Sequence, residues 1–153
     1  MTTTLTDDFG RKTIFTGVQL LDETTDTEDG HKPQWLEVTV WKTEAGNFVV
    51  RRTTKYRIIH ASENCSRADG YVLVEAGDED DYNCKTCNPH GDEYTEGFAQ
   101  APRTTVDVYS TPAELTESFR TDGRYSNFSR SLLADLAKLD AGIDKVWSVV
   151  HVA

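Results

Sequence analysis

Three cysteines and one histidine set the strongest constraint on this chain. Cys84-Lys85-Thr86-Cys87 is a C-x2-C pair followed by Asn88-Pro89, the spacing at which two thiolates on a tight turn share one Zn2+. Cys65 adds a third thiolate 19 positions upstream, and His60, five positions before it, adds an imidazole, giving H-x4-C-x18-C-x2-C. Three thiolates and one imidazole complete a tetrahedron at ~2.0 to 2.3 Å from the metal and leave no position for a catalytic water, which makes the site structural. His90, three residues after Cys87, is the competing fourth ligand. Pro89 stiffens that short link and the two ligands would crowd, so the assigned set is His60, Cys65, Cys84 and Cys87, with His90 kept as the alternative. The odd cysteine count argues against a disulfide framework.

Tyr56-Arg57-Ile58-Ile59-His60, then Cys65, then Cys84-Lys85-Thr86-Cys87-Asn88-Pro89 resembles a short metal-binding segment found in many bacterial proteins: an aromatic-led strand ending in H-x4-C, a variable loop, then C-K-x-C-x-P. With Trp35-Leu36-Glu37 and Gly46-Asn47-Phe48-Val49-Val50 ahead of it, the arrangement is similar to small bacterial zinc proteins of actinobacterial type. More distantly, it is similar to the zinc-binding N-terminal domain of the Ada-type DNA-alkylation response proteins, whose second half also reads C-K-x-C-x-P. In that family one of the first two ligand cysteines accepts a methyl group from a DNA phosphotriester. Here His60 and Cys65 stand in place of that pair, and basic residues are missing after the second pair. What the resemblance implies is therefore zinc rather than methyl transfer.

The chain has 153 residues, enough for one domain, and we read residues 1–153 as a single domain with a zinc-binding subregion at 55–92. Sixteen basic against 26 acidic residues give a net charge of −10. No apolar run approaches the ~18 to 20 residues of a membrane span, and Met1-Thr2-Thr3-Thr4-Leu5-Thr6-Asp7-Asp8 has neither basic nor apolar leader character, so the expectation is a cytoplasmic protein without membrane association.

Ile14 to Leu21 reads as a first strand, with Gly17 a bulge or a point of close approach. Asp22 to Lys32, with five acidic residues, reads as a solvated hairpin loop. From Gln34 to Thr43, Leu36, Val38 and Val40 point one way and Trp35, Glu37, Thr39 and Trp41 the other; two tryptophans on the nominally polar face mean that face is covered. After a turn at Glu44 to Asn47, Asn47 to Arg52 and Lys55 to His60 are two strands or one bent strand, and Tyr71 to Val74 is a further short strand, as zinc ribbons have. Glu75 to Glu96, with eight acidic residues and one basic, reads as a loop pinned by Cys84 and Cys87.

Thr104 to Tyr109 resumes a strand with Val106 and Val108 inward. Thr111, Pro112 and Glu114 form a capping box that opens a short helix burying Leu115 and Phe119, which Asp122-Gly123 ends. A second helix runs from Asn127 to Asp140, with Leu132, Leu133, Leu136 and Leu139 on one face and Gly142 as its stop. Lys145 to Val152 fits either a closing strand or a helix face and is assigned as strand on its β-branched content. The expected fold class is α+β: an antiparallel sheet, a zinc-clipped insertion and two C-terminal helices.

Catalytic grammar is absent from the sequence, which has no G-x-G-x-x-G, P-loop or G-x-S-x-G. The acidic runs lack the spaced carboxylates of a Ca2+ loop, and His31 and His151 read as ordinary surface residues. Zn2+ is thus the one cofactor expected. Between Lys42 and Arg57 five basic residues stand against one acid, and Arg51, Arg52 and Arg57 beside Trp41 and Tyr56 could meet phosphates or stacked bases. The net negative charge opposes a polyanionic partner. The leading expectation is a non-enzymatic, zinc-stapled acidic module that binds a protein partner. Its alternatives are a nucleic-acid-binding zinc protein using the basic strand pair, a zinc-thiolate methyl acceptor at Cys65, and an acidic mimic of nucleic acid.

Overall fold

A computed structural model describes residues 2–26, 34–60, 70–74 and 103–148. Six strands form one curled antiparallel sheet: β1 (Thr2–Thr6), β2 (Lys12–Thr24), β3 (Gln34–Thr43), β4 (Phe48–His60), β5 (Gly70–Val74) and β6 (Arg103–Tyr109). The order is β1-β2-β3-β4-β5, with β6 also pairing with β4. After β6 come α1 (Pro112–Glu117), a hairpin of β7 (Arg120–Thr121) and β8 (Arg124–Tyr125), α2 (Asn127–Leu139) and α3 (Ala141–Trp147). The chain divides into two compact units, one of Met1–Glu23, Val38–Arg51 and Val106–Ala153, the other of Thr24–Glu37 and Arg52–Thr105.

In the first unit the middle of the sheet is buried on both faces. Phe48, Val49 and Val50 are consecutive and all closed to solvent, the continuous apolar run expected of a doubly covered strand. On one face Leu5, Trp41, Val49 and Val106 cluster, with the Phe15 ring meeting Trp41 edge-on at 5.7 Å. Val38, Val40 and Lys42 share the other face, and Lys42 Nζ reaches Asp140 Oδ2 at 2.5 Å, at the junction of α2 and α3. The helices bring Leu115, Leu132, Leu133, Leu136 and Ile143 to full burial.

Local chemistry explains these elements. At Gly17 an added Cβ would lie 2.2 Å from the Lys42 carbonyl oxygen, so β2 can approach β3 only without a side chain there. Gly46, at φ +89°, closes the β3–β4 turn, where the Thr43 N–H donates to the Asn47 carbonyl at 2.8 Å. Asp7 closes the β1–β2 loop: its Oδ1 accepts from the N–H groups of Phe9 and Arg11, and its Oδ2 from Arg11 Nε at 3.2 Å. Arg11 also donates to the Val106 carbonyl at 3.2 Å, fastening this loop to β6. Thr111 caps α1 by accepting from the Glu114 N–H at 3.1 Å, and the Glu114 carboxylate reaches back to the N–H and hydroxyl of Ser110, one residue earlier than a capping box requires.

Five expectations are corrected. Three C-terminal helices are present rather than two, because Ala141–Trp147 is helical where Lys145 to Val152 was assigned as strand; residues 149–153 lie outside the described residues. Asp140 decides that outcome: its N–H donates to Leu136 to finish α2, and its carboxylate accepts from the Ile143 N–H at 3.0 Å to start α3. Gly142 consequently stops nothing. It sits in the first turn of α3, where an added Cβ would press on Asp140 Oδ1 at 3.1 Å and Pro112 Cγ at 3.2 Å. Leu139 is 56% exposed, because α2 ends there and the apolar stripe continues through Ile143 instead. Val108 is 53% exposed although Val106 on the same strand is buried: alternation tells which side a residue takes, not how far cover extends along it. The acidic stretch also begins later than expected, since β2 continues through Asp22 and Glu23 to Thr24.

Candidate metal centre and basic strand face

The candidate donors follow the strands in order. His60 is the last residue of β4, and its register partner on β5 is Gly70, with Tyr56 opposite Val74 at the other end of the ladder. Cys65 falls in the connection 61–69 between these strands, and Cys84, Cys87 and His90 fall in the connection 75–102 between β5 and β6. Cys65, Cys84, Cys87 and His90 lie outside the described residues, as does the side chain of His60. Among the described residues no group of three or more His, Cys, Asp or Glu side chains is disposed to hold a metal ion. The donor set itself suits Zn2+, since thiolate and imidazole are its preferred soft and borderline ligands. The expected zinc-clipped insertion spans these same segments.

The basic stretch of β4 is drawn into the protein. Arg51 lies over the Trp41 ring, 5.2 Å from its centroid, and donates to the Thr39 hydroxyl at 3.3 Å. Thr39 donates in turn to Asp22 Oδ1 at 2.9 Å, so an arginine, a threonine and an aspartate from three strands form one chain. Trp41 itself is buried beneath the guanidinium. In the second unit Lys55 Nζ pairs with Glu37 Oε2 at 2.6 Å, Arg52 is half-buried and engaged in an interaction of its own, and the Arg57 side chain lies outside the described residues. Trp35, on the tryptophan face of β3, is buried too, as its place on a covered face required.

Two carboxylates missed by sequence reading carry the clearest electrostatic signature. Glu23 is pushed up from 4.5 to about 7, first by burial, then by a hydrogen bond with the Asp135 side chain and by the charge of that group. Asp140 goes the other way: burial raises it, but the Lys42 ammonium and the N–H groups of Ile143 and Gly142 outweigh burial and hold its carboxyl below the ordinary value. Nothing local marks Glu23 within the acidic stretch Asp22 to Asp29. Asp135 stands one turn from Leu132 on the edge of the buried stripe of α2, and that position was the only available signal. Perturbed carboxyl pairs can mark catalytic sites. Glu23 lies near the end of β2 and Asp135 in the middle of α2. An open depression in the first unit is lined by Tyr109, Ala113, Glu114, Glu117 and Ser118.

Among the described residues no helix is long and apolar enough to cross a membrane. No protein-family model, curated protein or solved structure matches the chain.

Proposed function

We propose that this chain is a non-enzymatic, zinc-stapled acidic module that binds a protein partner. The observation that carries the reading is the donor grammar H-x4-C-x18-C-x2-C on a ladder of β4 and β5 that ends at His60 and Gly70. His60, Cys65, Cys84 and Cys87 would hold the ion, which supplies folding energy to a segment too polar to form its own core. Four protein ligands leave no open position on the metal, so the zinc is a staple rather than a reagent. Ten net negative charges direct the module toward partners with basic surfaces.

The nucleic-acid alternative draws less support from the basic strand. Of the expected contact residues Arg51 spends its guanidinium on Trp41 and Thr39, and the nearby Lys55 is paired with Glu37, so these two offer little free charge to phosphates. Affinity capture from cell extract at ~50 mM and ~300 mM salt, with native protein and Cys84→Ser, separates the readings. The expected result is a protein retained by the native chain and lost with Cys84→Ser. Retention of nucleic acid at the lower salt, abolished by Arg57→Ala, would replace the protein-binding reading with the alternative.

A further inference from the structure

Phe9 stands in the loop between β1 and β2 and is 94% exposed, the most open large apolar side chain among the described residues. Its backbone is held from several sides. The Asp7 carboxylate, 5% exposed, accepts from the N–H groups of Phe9 at 2.9 Å and Arg11 at 3.0 Å, and the Gly10 N–H donates to the Asp7 carbonyl at 3.0 Å. Arg11 ties the loop to the Val106 carbonyl. A ring presented on a fixed turn loses little freedom when it is covered, and covering it removes apolar surface from water. Two cations follow it in the chain, Arg11, 68% exposed beyond its bond to Asp7, and the exposed Lys12, against the one exposed carboxylate of Asp8.

The open depression of the first unit has the opposite features. About 790 Å³ in volume, it is lined by Tyr109, Ala113 and Ser118 together with two exposed glutamates, Glu114 and Glu117, and by no lysine or arginine. Glu114 Oε2 accepts from Ser110, and Arg120 Nε stands 3.8 Å from Glu117 Oε2 in an exposed pair that water screens. Loop and depression are near each other along the fold. Arg11 is bonded to Val106, and β6 carries the chain from Val106 to Tyr109, about 10 Å further. Phe9, open to water, does not fill the depression of its own chain. A knob and a hollow set this close on one chain are what a two-fold axis pairs twice over.

We propose that two copies of this chain form a two-fold dimer in which Phe9 of each copy enters the depression of the other, bringing Arg11 and Lys12 toward Glu114 and Glu117. The same contact is made twice, apolar at its centre and of opposite charge at its rim. It involves none of the zinc donors and is independent of the metal.

Sedimentation equilibrium of the full-length chain tests this at ~150 mM salt, where repulsion between two copies of net charge −10 is screened. The native protein should pass from monomer to dimer between about 1 µM and 1 mM. Phe9→Ala removes a side chain that the fold does not bury, and Ala113→Arg fills the depression from an exposed helix position. Each should weaken dimerisation at least about tenfold. Mixed in equal amounts, the two variants should associate more tightly than either alone, because the intact Phe9 of one meets the intact depression of the other. A variant that had merely lost its fold would not be rescued in this way. A native chain that stays monomeric, a dimer that survives Phe9→Ala, or a mixture without recovery overturns the proposal. A monomeric chain whose captured protein partner is lost in Phe9→Ala overturns it as well and gives Phe9 to that partner.

Discussion

Asp140 does the work of three residues, and its removal should show it. It ends α2, begins α3 and holds Lys42 Nζ at 2.5 Å while its own side chain is 5% exposed. Asp140→Ala removes a helix cap and leaves the half-exposed Lys42 without its partner, for an expected loss of about 1–3 kcal/mol in urea unfolding. Lys42→Met alone should cost less, and the double variant should cost less than the sum of the two, since the residues act as a pair. Additive losses would show that the pair is not coupled. Because Asp140 is held below 3.8, its share of the stability is complete above that pH and fades only as pH falls through its lower folded value. Gly17 makes a sharper case: Gly17→Ala drives a methyl into the Lys42 carbonyl, at an expected cost of about 1–3 kcal/mol. Gly46→Ala meets open space and only the strain of φ +89°, for about 1 kcal/mol. A smaller loss at Gly17 than at Gly46 would contradict the close approach of β2 and β3.

The elements differ in how plainly their residues announce them. β3 runs from Gln34 to Thr43 as its alternation requires, and Trp35 and Trp41 already indicated a covered second face. α1 was legible because Thr111, Pro112 and Glu114 are local chemistry that needs no tertiary partner. α3 was not. Its Val146 and the β-branched residues after it favour extended backbone locally, and the helix exists because Asp140 caps it, Ile143 enters the core and the Trp147 ring meets Tyr125 edge-on at 5.1 Å. Ile143→Ala should accordingly cost about 2–4 kcal/mol, whereas Lys145→Ala on the solvent side should stay within about 0.5 kcal/mol. Equal effects at the two positions would contradict the helical assignment. The β7–β8 hairpin escaped notice for another reason: two-residue strands have no periodicity to read, and only Asp122-Gly123, both at positive φ, signals the tight turn. Likewise the influence of Asp135 on Glu23 joins distant parts of the chain and leaves no trace in spacing. The proposed ligand set is the reverse case: it is a proposal from spacing in the sequence, and of its parts the described residues include the strand β4, which ends on His60.

At the scale of the molecule, a sheet whose middle is buried on both faces and three helices supply the core of the first unit. The stretch 55–92 has no comparable apolar supply: it is rich in Asp and Glu, and like charges oppose its collapse. In the proposed reading zinc would answer that deficit, so metal binding and the folding of this stretch are expected to be one event. Chelation and Cys84→Ser are then expected to give the same change, a loss of exchange protection around β5 that leaves Leu132, Leu133 and Leu136 protected. Elemental analysis of the purified chain, alongside His60→Ala and His90→Ala, tests the staple most directly. About one zinc per chain, retained in His90→Ala and lost in His60→Ala, is the expected result for a closed site of three cysteines and one histidine. A metal-free native protein, or full retention in His60→Ala, would contradict it.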